Sequence, residues 1–176
     1  FDFCKFAIQK INILRYFIEF AYNGKNYFGF QIQPDAISVQ EILNKALHTL
    51  LRESIEIVGA GRTDSGVHAT QMFAHFDSSI IPDKKQFIHR LNSFLPKDIV
   101  IYNMHEVSTT AHARFDATSR TYEYHIHTYK NPFMHEGSWY VQQPLNIQLM
   151  NEAAKILLEY EDFECFSKVH TDVKTF

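Results

Sequence analysis

Residues 38–50 read SVQEILNKALHTL and carry the clearest secondary-structure signal in the chain. Ser38 and Glu41 have the spacing of a capping box, in which each side chain bonds a free backbone amide at the start of a helix. After them, apolar residues recur every three or four positions, as they do on one face of a helix. These residues are Val39, Ile42, Leu43, Ala46, Leu47 and Leu50. The stretch therefore predicts an amphipathic helix with one buried face.

Segments with strand character flank this helix. The run LRYFIEFAY at residues 14–22 precedes it and ends at Asn23-Gly24, a pair typical of turns. Two shorter runs follow the helix, at residues 55–58 and 68–76. The helix is therefore expected to connect strands of one sheet.

A second helix and a fourth strand complete the pattern. Pro82-Asp83 opens the helix, which ends near Pro96, and residues 99–107 form the strand. The apolar face of this helix consists of Phe87, Ile88, Leu91 and Leu95. The order β-α-β-β-α-β predicts an α+β fold, a ferredoxin-like antiparallel sheet with both helices on one face. The opposite face of the sheet is left open for a ligand.

The predicted elements divide the chain into three regions. Residues 1–13 are expected to be an N-terminal extension, residues 14–110 the first ferredoxin-like half, and residues 111–176 the start of a second, similar half. In this last region we predict a strand at residues 119–129 and a helix at about 147–160. The apolar stripe of that helix consists of Leu149, Met150, Ala153, Ala154, Leu157 and Leu158. One strand and one helix cannot close a sheet, so the second half is expected to be truncated.

Composition narrows the class of protein. Hydrophobic residues make up 45% and charged residues 21% of the chain, as in soluble globular proteins. The apolar runs are too short to span a membrane, and the two cysteines stand far apart, unlike those of a disulfide scaffold. We therefore predict a cytoplasmic protein without a membrane segment. The net charge of −3 does not favour nucleic acid, so RNA binding would need a local basic patch.

Residues 59–69, GAGRTDSGVHA, lie between the second and third predicted strands. Their three glycines permit positive φ angles and a close approach of a ligand to the backbone. Between the glycines stand a cation, a hydroxyl and a carboxylate, which belong to Arg62, Thr63 and Asp64. Loops on a rigid sheet often present catalytic side chains. Glycine, serine and aspartate are also ordinary turn residues, however, and composition alone favours a plain turn.

The ten histidines raise the question of a metal site. His125 and His127 lie on one face of a predicted strand, but no carboxylate or third histidine follows with zinc-site spacing. We therefore predict no metal ligand. No P-loop or dinucleotide fingerprint occurs in the sequence, and no cofactor is predicted.

The segment GAGRTDSGVHA resembles the signature of the TruA family of tRNA pseudouridine synthases, usually GRTDAGVHA, with Ser65 in place of alanine. Four other segments resemble that family in the same order along the chain. They are YNGKNYFGFQ at residues 22–31, SVQE at 38–41, HARFDA at 112–117 and RTYEY at 120–124. The first of them departs from the family pattern at Asn23 and Phe30. The resemblance covers residues 14 to about 174.

The resemblance implies a reaction in which uracil is detached from C1′ of the ribose, rotated and rejoined through C5. Asp64 matches the nucleophilic aspartate of the family, and it would either trap C1′ covalently or act as the base of an elimination. The sequence leaves both routes open. Arg62 is implied to stabilise the Asp64 carboxylate and to fill the place of the target base. Tyr122 is implied to stack on the flipped uracil, although alternating tyrosines are also typical of a packed sheet face.

The substrate implied by the resemblance is uridine in the anticodon arm of tRNA, at tRNA positions 38–40, modified by a homodimer. Arg114 and Arg120 would contact phosphate or orient the base, with Lys25, Arg62 and Lys168 as further basic contacts. Surface solvation explains each of the two arginines about equally well. Thr63 and His68 are predicted to contact the substrate from the same loop, and His68 also to shape it.

Two other classes of protein stay open. A non-catalytic RNA-binding module on the same sheet would keep the basic and aromatic contacts without needing Asp64. A nucleoside-cleaving hydrolase would need a second carboxylate as general acid near Asp64. The candidates for that role are Asp77, Glu106 and Asp116, and no motif places any of them there.

Family members also carry, in their second half, a basic residue that pairs with the aspartate, within a segment like VRNMVG. No such segment occurs before Phe176. We therefore expect the 176-residue chain by itself to be inactive or nearly so.

Overall fold

The computed structural model of this chain describes residues 13–166. The predicted N-terminal extension, apart from Ile13, and the predicted basic contact Lys168 lie outside the described residues. The chain divides into two compact units between Arg120 and Thr121.

A four-stranded sheet forms the centre of the first unit, with the strand order β2-β3-β1-β4. Every neighbouring pair of strands in it is antiparallel. The strands are β1 (Leu14–Tyr22), β2 (Val58–Gly59), β3 (Ala69–Ser78) and β4 (Ile99–Val107), and the helices are α1 (Val39–Leu51) and α2 (Lys84–Phe94). The predicted α+β fold with the element order β-α-β-β-α-β is confirmed. Two interleaved split β-α-β units produce this strand order.

Both helices begin where the sequence places a capping residue. The Ser38 hydroxyl accepts a hydrogen bond from the Glu41 amide (3.3 Å), and the Asp83 carboxylate accepts one from the Gln86 amide (2.9 Å). Each side chain thereby satisfies an amide that has no partner within its helix. The predicted starts of both helices are confirmed.

The helices cover one face of the sheet. Along β1, every second side chain is buried in the core that the helices share with the sheet, and the side chains between them are only partly buried. The buried set is Tyr16, Ile18, Phe20 and Tyr22, each at most 4% exposed. This period of two follows from strand geometry, which sends successive side chains to opposite faces. The helices α1 and α2 therefore share one face of the sheet, as the sequence predicts.

The second strand is shorter than the sequence predicts. A strand is expected at residues 55–58, whereas only Val58–Gly59 pairs with β3. The Ile57 amide donates to Asn44 Oδ1 (2.9 Å), and the Ile57 carbonyl accepts from Gln40 Nε2 (2.8 Å). Because side chains of α1 occupy these backbone groups, they are not available to a strand ladder. The prediction of a strand over residues 55–57 is therefore wrong.

The second unit has less regular structure than the sequence predicts. It contains two short parallel strands, β5 (Ile126–His127) and β6 (Trp139–Tyr140), the helix α3 (Ile147–Leu157) and a 3-10 turn at Glu164–Phe166. The strand predicted at residues 119–129 is thus reduced to two residues. A strand needs a partner for its backbone groups, and β6 is the only one within residues 121–166.

Helix α3 confirms the helix predicted in this unit, although it ends at Leu157 rather than near residue 160. None of its residues is buried, so its apolar stripe is exposed in the part of the chain that the structure describes. Of the helices within residues 13–166, none is both long enough and apolar enough to pass through a bilayer.

Candidate active site

The Asp64 loop, residues 60–68, joins β2 to β3 and is held in its centre by Thr63. The Thr63 carbonyl accepts a hydrogen bond from the Phe30 amide (3.1 Å). The Thr63 hydroxyl lies 2.8 Å from the hydroxyl of Tyr22, whose ring is buried in the core. The residue immediately before Asp64 is therefore fixed through both its backbone and its side chain.

The residues after Asp64 are fixed by Tyr27. The Tyr27 carbonyl accepts hydrogen bonds from the Gly66 amide (3.2 Å) and the Ser65 hydroxyl (3.3 Å). The buried Tyr27 hydroxyl in turn donates to the Asp98 carboxylate (2.6 Å). Burial, together with this bond to Asp98, raises the pKa of Tyr27 well above its usual range. The phenol therefore keeps its proton and holds the segment in place.

Two glycines allow this close contact between segments. A side-chain carbon added to Gly29, which has φ 88°, would overlap the Thr63 carbonyl oxygen. One added to Gly24 would overlap the Val67 carbonyl oxygen. The Gly24 amide also donates to His68 Nδ1 (3.1 Å). The YNG and YFG sequences thus supply the surface on which the loop rests.

Asp64 lies between these anchors. The Val67 amide donates to the Asp64 carbonyl (3.3 Å) and closes a four-residue turn, in which Gly66 takes φ 79°. The side chains of Asp64 and Arg62 are exposed. The loop therefore presents a carboxylate and a cation on a backbone that is held on both sides, as preorganised binding requires.

Arg120 connects the start of the loop to the segment that carries Arg114. Its Nε and Nη2 atoms donate to the Ala60 carbonyl at 3.1 and 2.7 Å, and Nη2 also donates to the Arg114 carbonyl (2.9 Å). The Ala60 amide donates to the Phe73 carbonyl of β3 (2.7 Å). The structure thus brings both predicted arginines to the same side of the first unit as the Asp64 loop.

The segment around Arg114 is a compact turn on the open face of the sheet. The His112 amide donates to the Asp116 carboxylate (2.7 Å), and the Asp116 amide donates to the His112 carbonyl (2.9 Å). The Ala113 amide donates to Nδ1 of the buried His75 (3.1 Å). Burial, assisted by neighbouring positive charge, lowers the pKa of His75. A neutral imidazole is the form that can accept this bond.

A shallow groove of about 390 Å³ adjoins the Asp64 loop at the ends of β1, β3 and β4. Its lining includes Tyr22 and His68 from the site, the exposed ring of Tyr102, and the cation Lys97. The lining also includes Asp98, whose carboxylate accepts the Tyr27 hydroxyl. The cation and the exposed ring are groups that can contact a phosphate and a base of a nucleic acid strand.

Tyr122 belongs to the second unit and is 63% exposed there. Tyr124, its predicted neighbour on the same strand face, is 87% exposed. The alternative in which these tyrosines fill a packed sheet face is therefore not seen within residues 121–166.

The carboxylates that a hydrolase would need are engaged elsewhere. Asp77 forms a double hydrogen bond with Arg15, at 2.7 Å for each oxygen, which lowers the pKa of Asp77 and keeps it ionised. Glu106 lies 3.8 Å from Lys84, and Asp116 bonds the turn described above. All three carboxylates are thus bound to residues other than Asp64, so this geometry does not support a hydrolase built on Asp64 and one of them. Among residues 13–166, no three histidine, cysteine or carboxylate side chains gather where they could hold a metal ion.

Sequence reasoning missed three residues that hold the loop. Tyr22 and Tyr27 lie in the segment YNGKNYFGFQ, but the pattern does not say what their hydroxyls contact. Asp98 lies in no motif, and only its place at the start of β4 brings it to Tyr27.

A family model described as tRNA pseudouridine synthase matches residues 19–116. Among curated proteins, the chain is 54% identical to "tRNA pseudouridine synthase A" of Bacteroides thetaiotaomicron over 161 residues, which is 92% of this chain and 60% of that protein. It is 53% identical to the Bacteroides fragilis protein of the same name over 166 residues, 94% of this chain and 66% of that protein. A Thermoanaerobacter protein of that name is 38% identical over 147 residues, 82% of this chain and 60% of the relative. The chain thus spans somewhat less than two thirds of the length of these relatives.

Proposed function

The chain belongs to the tRNA pseudouridine synthase family, and on that premise we propose that its Asp64 loop isomerises uridine to pseudouridine in tRNA. The observation that carries this proposal is the placement of Asp64. Its carboxylate is exposed, while Thr63 before it and Ser65 after it are bonded to Tyr22 and Tyr27. A group held in this way needs little reorganisation to meet a substrate, which is a large part of catalytic efficiency.

The proposed reaction breaks the C1′–N1 glycosidic bond and forms a C1′–C5 bond on the same uracil. The hydrogen on C5 leaves as a proton, and N1 gains one, so atoms and electrons balance without a redox cofactor. Asp64 either forms a covalent bond to C1′ or removes the C2′ proton. Each route uses a carboxylate next to the ribose, which an exposed side chain on a fixed loop provides.

The other predicted residues take supporting roles in this proposal. Arg62 fills the place that the target base leaves, and Tyr122 stacks on the flipped uracil. Removing a base from its stack costs a few kcal/mol, and stacking on one aromatic ring returns about 1–3 kcal/mol. The remaining binding energy comes from residues that contact the RNA backbone and the loop. We assign this role to Arg114, Thr63 and His68. Arg120, the fourth predicted contact, uses its Nε and Nη2 donors for hydrogen bonds inside the protein.

We propose that the target is the anticodon arm of tRNA, at positions 38–40. We also propose that the full-length protein is a cytoplasmic homodimer, in which each subunit contains two ferredoxin-like halves. Sequence-independent recognition of an RNA arm relies on shape and on phosphate contacts. The exposed Arg62, the partly buried Arg114 and the groove beside His68 supply such contacts on one unit.

The test is to map pseudouridine in tRNA after incubation with the full-length protein. Carbodiimide labelling followed by primer extension would show new stops at positions 38–40. A tRNA with cytidine at those three positions is the control and should show none. Stops elsewhere in the tRNA would support the pseudouridine synthase activity but contradict the proposed target positions. A protein that binds tRNA and produces no stops would be the non-catalytic RNA-binding module.

A further inference from the structure

Arg120 makes contacts that a phosphate-binding arginine does not need. Its guanidinium donates to two backbone carbonyls, those of Ala60 and Arg114, through three hydrogen bonds of 2.7 to 3.1 Å. We call this set of contacts the Arg120 bridge. Hydrogen bonds from a charged donor are among the stronger ones in proteins, and the planar guanidinium holds its donors at fixed angles.

The loop is shaped to admit this side chain. A carbon added to Gly61 would lie 3.3 Å from Arg120 Nε and 3.6 Å from its Cδ. The Gly61 backbone has no positive φ that would by itself require glycine. A side chain at Gly61 would therefore be in tight contact with Arg120, which would have to shift by a few tenths of an ångström.

The far end of the bridge is itself anchored to the sheet. The Ala113 amide bonds His75 of β3 (3.1 Å), and the Ala111 carbonyl accepts from Arg15 Nη1 of β1 (2.9 Å). The Arg114 carbonyl thus belongs to a segment fixed at two points. A bond from Arg120 to that carbonyl connects the start of the Asp64 loop to a rigid support.

We propose that Arg120 is a positioning residue for the pseudouridine synthase reaction, one that fixes the Ala60–Gly61 peptide and through it the Asp64 backbone. The inference rests on the proposed function, since it names a residue that acts through Asp64. It differs from the predicted phosphate contact, because the bridge uses hydrogen bonds inside the protein. Any contact of Nη1 with RNA would be additional to it.

A lysine at this position separates the two roles. Arg120→Lys keeps the positive charge that a phosphate contact needs, but an ammonium group cannot reproduce the planar arrangement that reaches two carbonyls. Arg120→Ala removes both. Arg90→Ala removes the same charge from an exposed position on α2 and is the control.

The experiment measures turnover of tRNA by the full-length protein, with hydrogen exchange of residues 59–66 as a second readout. Both Arg120 variants should lose roughly 10- to 100-fold in kcat, because small misplacements of a reacting group cost that much. KM should change by less than about threefold. Exchange in the loop should become faster in both variants, whereas Arg90→Ala should match the wild type in every readout.

Wild-type kcat in Arg120→Lys, or a loss confined to KM in Arg120→Ala, would overturn the proposal in favour of a phosphate contact. An inactive wild type would instead contradict the proposed function. Hydrogen exchange of the loop would then test the Arg120 bridge by itself, and unchanged exchange in the Arg120 variants would overturn it. Gly61→Ala gives an independent check. It should lower kcat in the wild type and add no further loss to Arg120→Ala, because coupled residues are not additive. Additive losses would contradict the bridge.

Discussion

At the scale of single residues, the predicted substrate contacts Thr63, His68 and Arg120 form hydrogen bonds inside the protein. Thr63 bonds Tyr22, His68 accepts from the Gly24 amide, and Arg120 bonds two carbonyls. The sequence identifies the loop because its glycines and its Arg-Thr-Asp triplet are contiguous. It does not identify the partners of these side chains, because those partners come from β1 and from segments that only the fold brings close.

The two positive-φ glycines of the site offer a matched comparison. Gly29 and Gly66 have similar φ angles, 88° and 79°, but only Gly29 has a backbone carbonyl where a side chain would stand. Alanine at Gly66 should cost about 1 kcal/mol of unfolding free energy from backbone strain. Alanine at Gly29 should cost more than about 3 kcal/mol, because the overlap adds to the strain. Urea unfolding measures both, and equal losses would contradict this account of Gly29.

His75 predicts a loss of stability on acidification. Burial lowers its pKa in the folded protein, so the unfolded state takes up a proton first as the pH falls below about 6.5. Arg15 and His112 add to this shift, while Asp77 and Asp116 oppose it. Between pH 7 and pH 5.5 the wild type should lose up to about 1 kcal/mol of unfolding free energy.

The matched control is His75→Asn, which keeps an acceptor for the Ala113 amide but does not titrate. It should be less stable at pH 7, because asparagine is smaller, and should lose little more on acidification. Unfolding by urea at several pH values measures the difference. A variant with the same pH dependence as the wild type would rule out His75 as the source.

At the scale of elements, side chains of α1 form hydrogen bonds with backbone groups that the predicted second strand would have used. The sequence predicts α1 and its cap from local spacing, and the structure confirms both. The strand predicted at residues 55–58 does not form over residues 55–57, because the half-buried side chains of Gln40 and Asn44 on α1 bond the Ile57 backbone. Strand propensity is a property of the residue type. Whether a strand forms also depends on which hydrogen-bond partners the fold places beside the backbone of that residue. Similarly, residues 119–129 have strand composition but only a two-residue partner among the described residues.

Replacement of Gln40 or Asn44 should lower the free energy of unfolding, because the Ile57 backbone depends on these side chains for its hydrogen bonds. Gln40→Ala and Asn44→Ala each leave a partly buried backbone group of Ile57 without its partner, which costs about 1–3 kcal/mol. The double variant should lose less than the sum, because both side chains hold one residue. Lys45→Ala, on the exposed side of α1, is the control and should change stability by less than about 0.5 kcal/mol. Strictly additive losses in urea unfolding would contradict the shared role.

At the scale of the whole molecule, the net charge of −3 gives no sign of RNA binding, so the proposed RNA contact depends on the basic side chains of the site. Arg62, Arg114 and Arg120 lie on or beside the Asp64 loop, with Lys97 in the adjoining groove. Total charge is a sum over the surface, so it cannot report a local concentration of one sign. The fold brings residue 114 to residue 60, so these arginines lie in one region of the first unit, together with the carboxylates of Asp64 and Asp116.

The salt dependence of tRNA binding tests this local patch. If Arg114 neutralises one phosphate, Arg114→Ala should reduce the slope of log affinity against log salt by about one. Arg90→Ala, which removes the same charge from α2, should leave the slope unchanged. Filter binding or fluorescence anisotropy over a range of salt concentrations gives both slopes. An unchanged slope in Arg114→Ala would mean that this arginine does not contact phosphate.

The most direct test of the central claim uses tRNA that carries tritium at uracil C5, with the full-length protein and its Asp64→Asn variant. Rejoining through C5 releases tritium to water, so the wild type should release it. Asp64→Asn, similar in size but without a nucleophilic carboxylate, should release none above background while binding tRNA with similar affinity. Asp35→Asn replaces an exposed aspartate in another loop and should behave as the wild type. Tritium release by Asp64→Asn at the wild-type rate would contradict the assignment of Asp64.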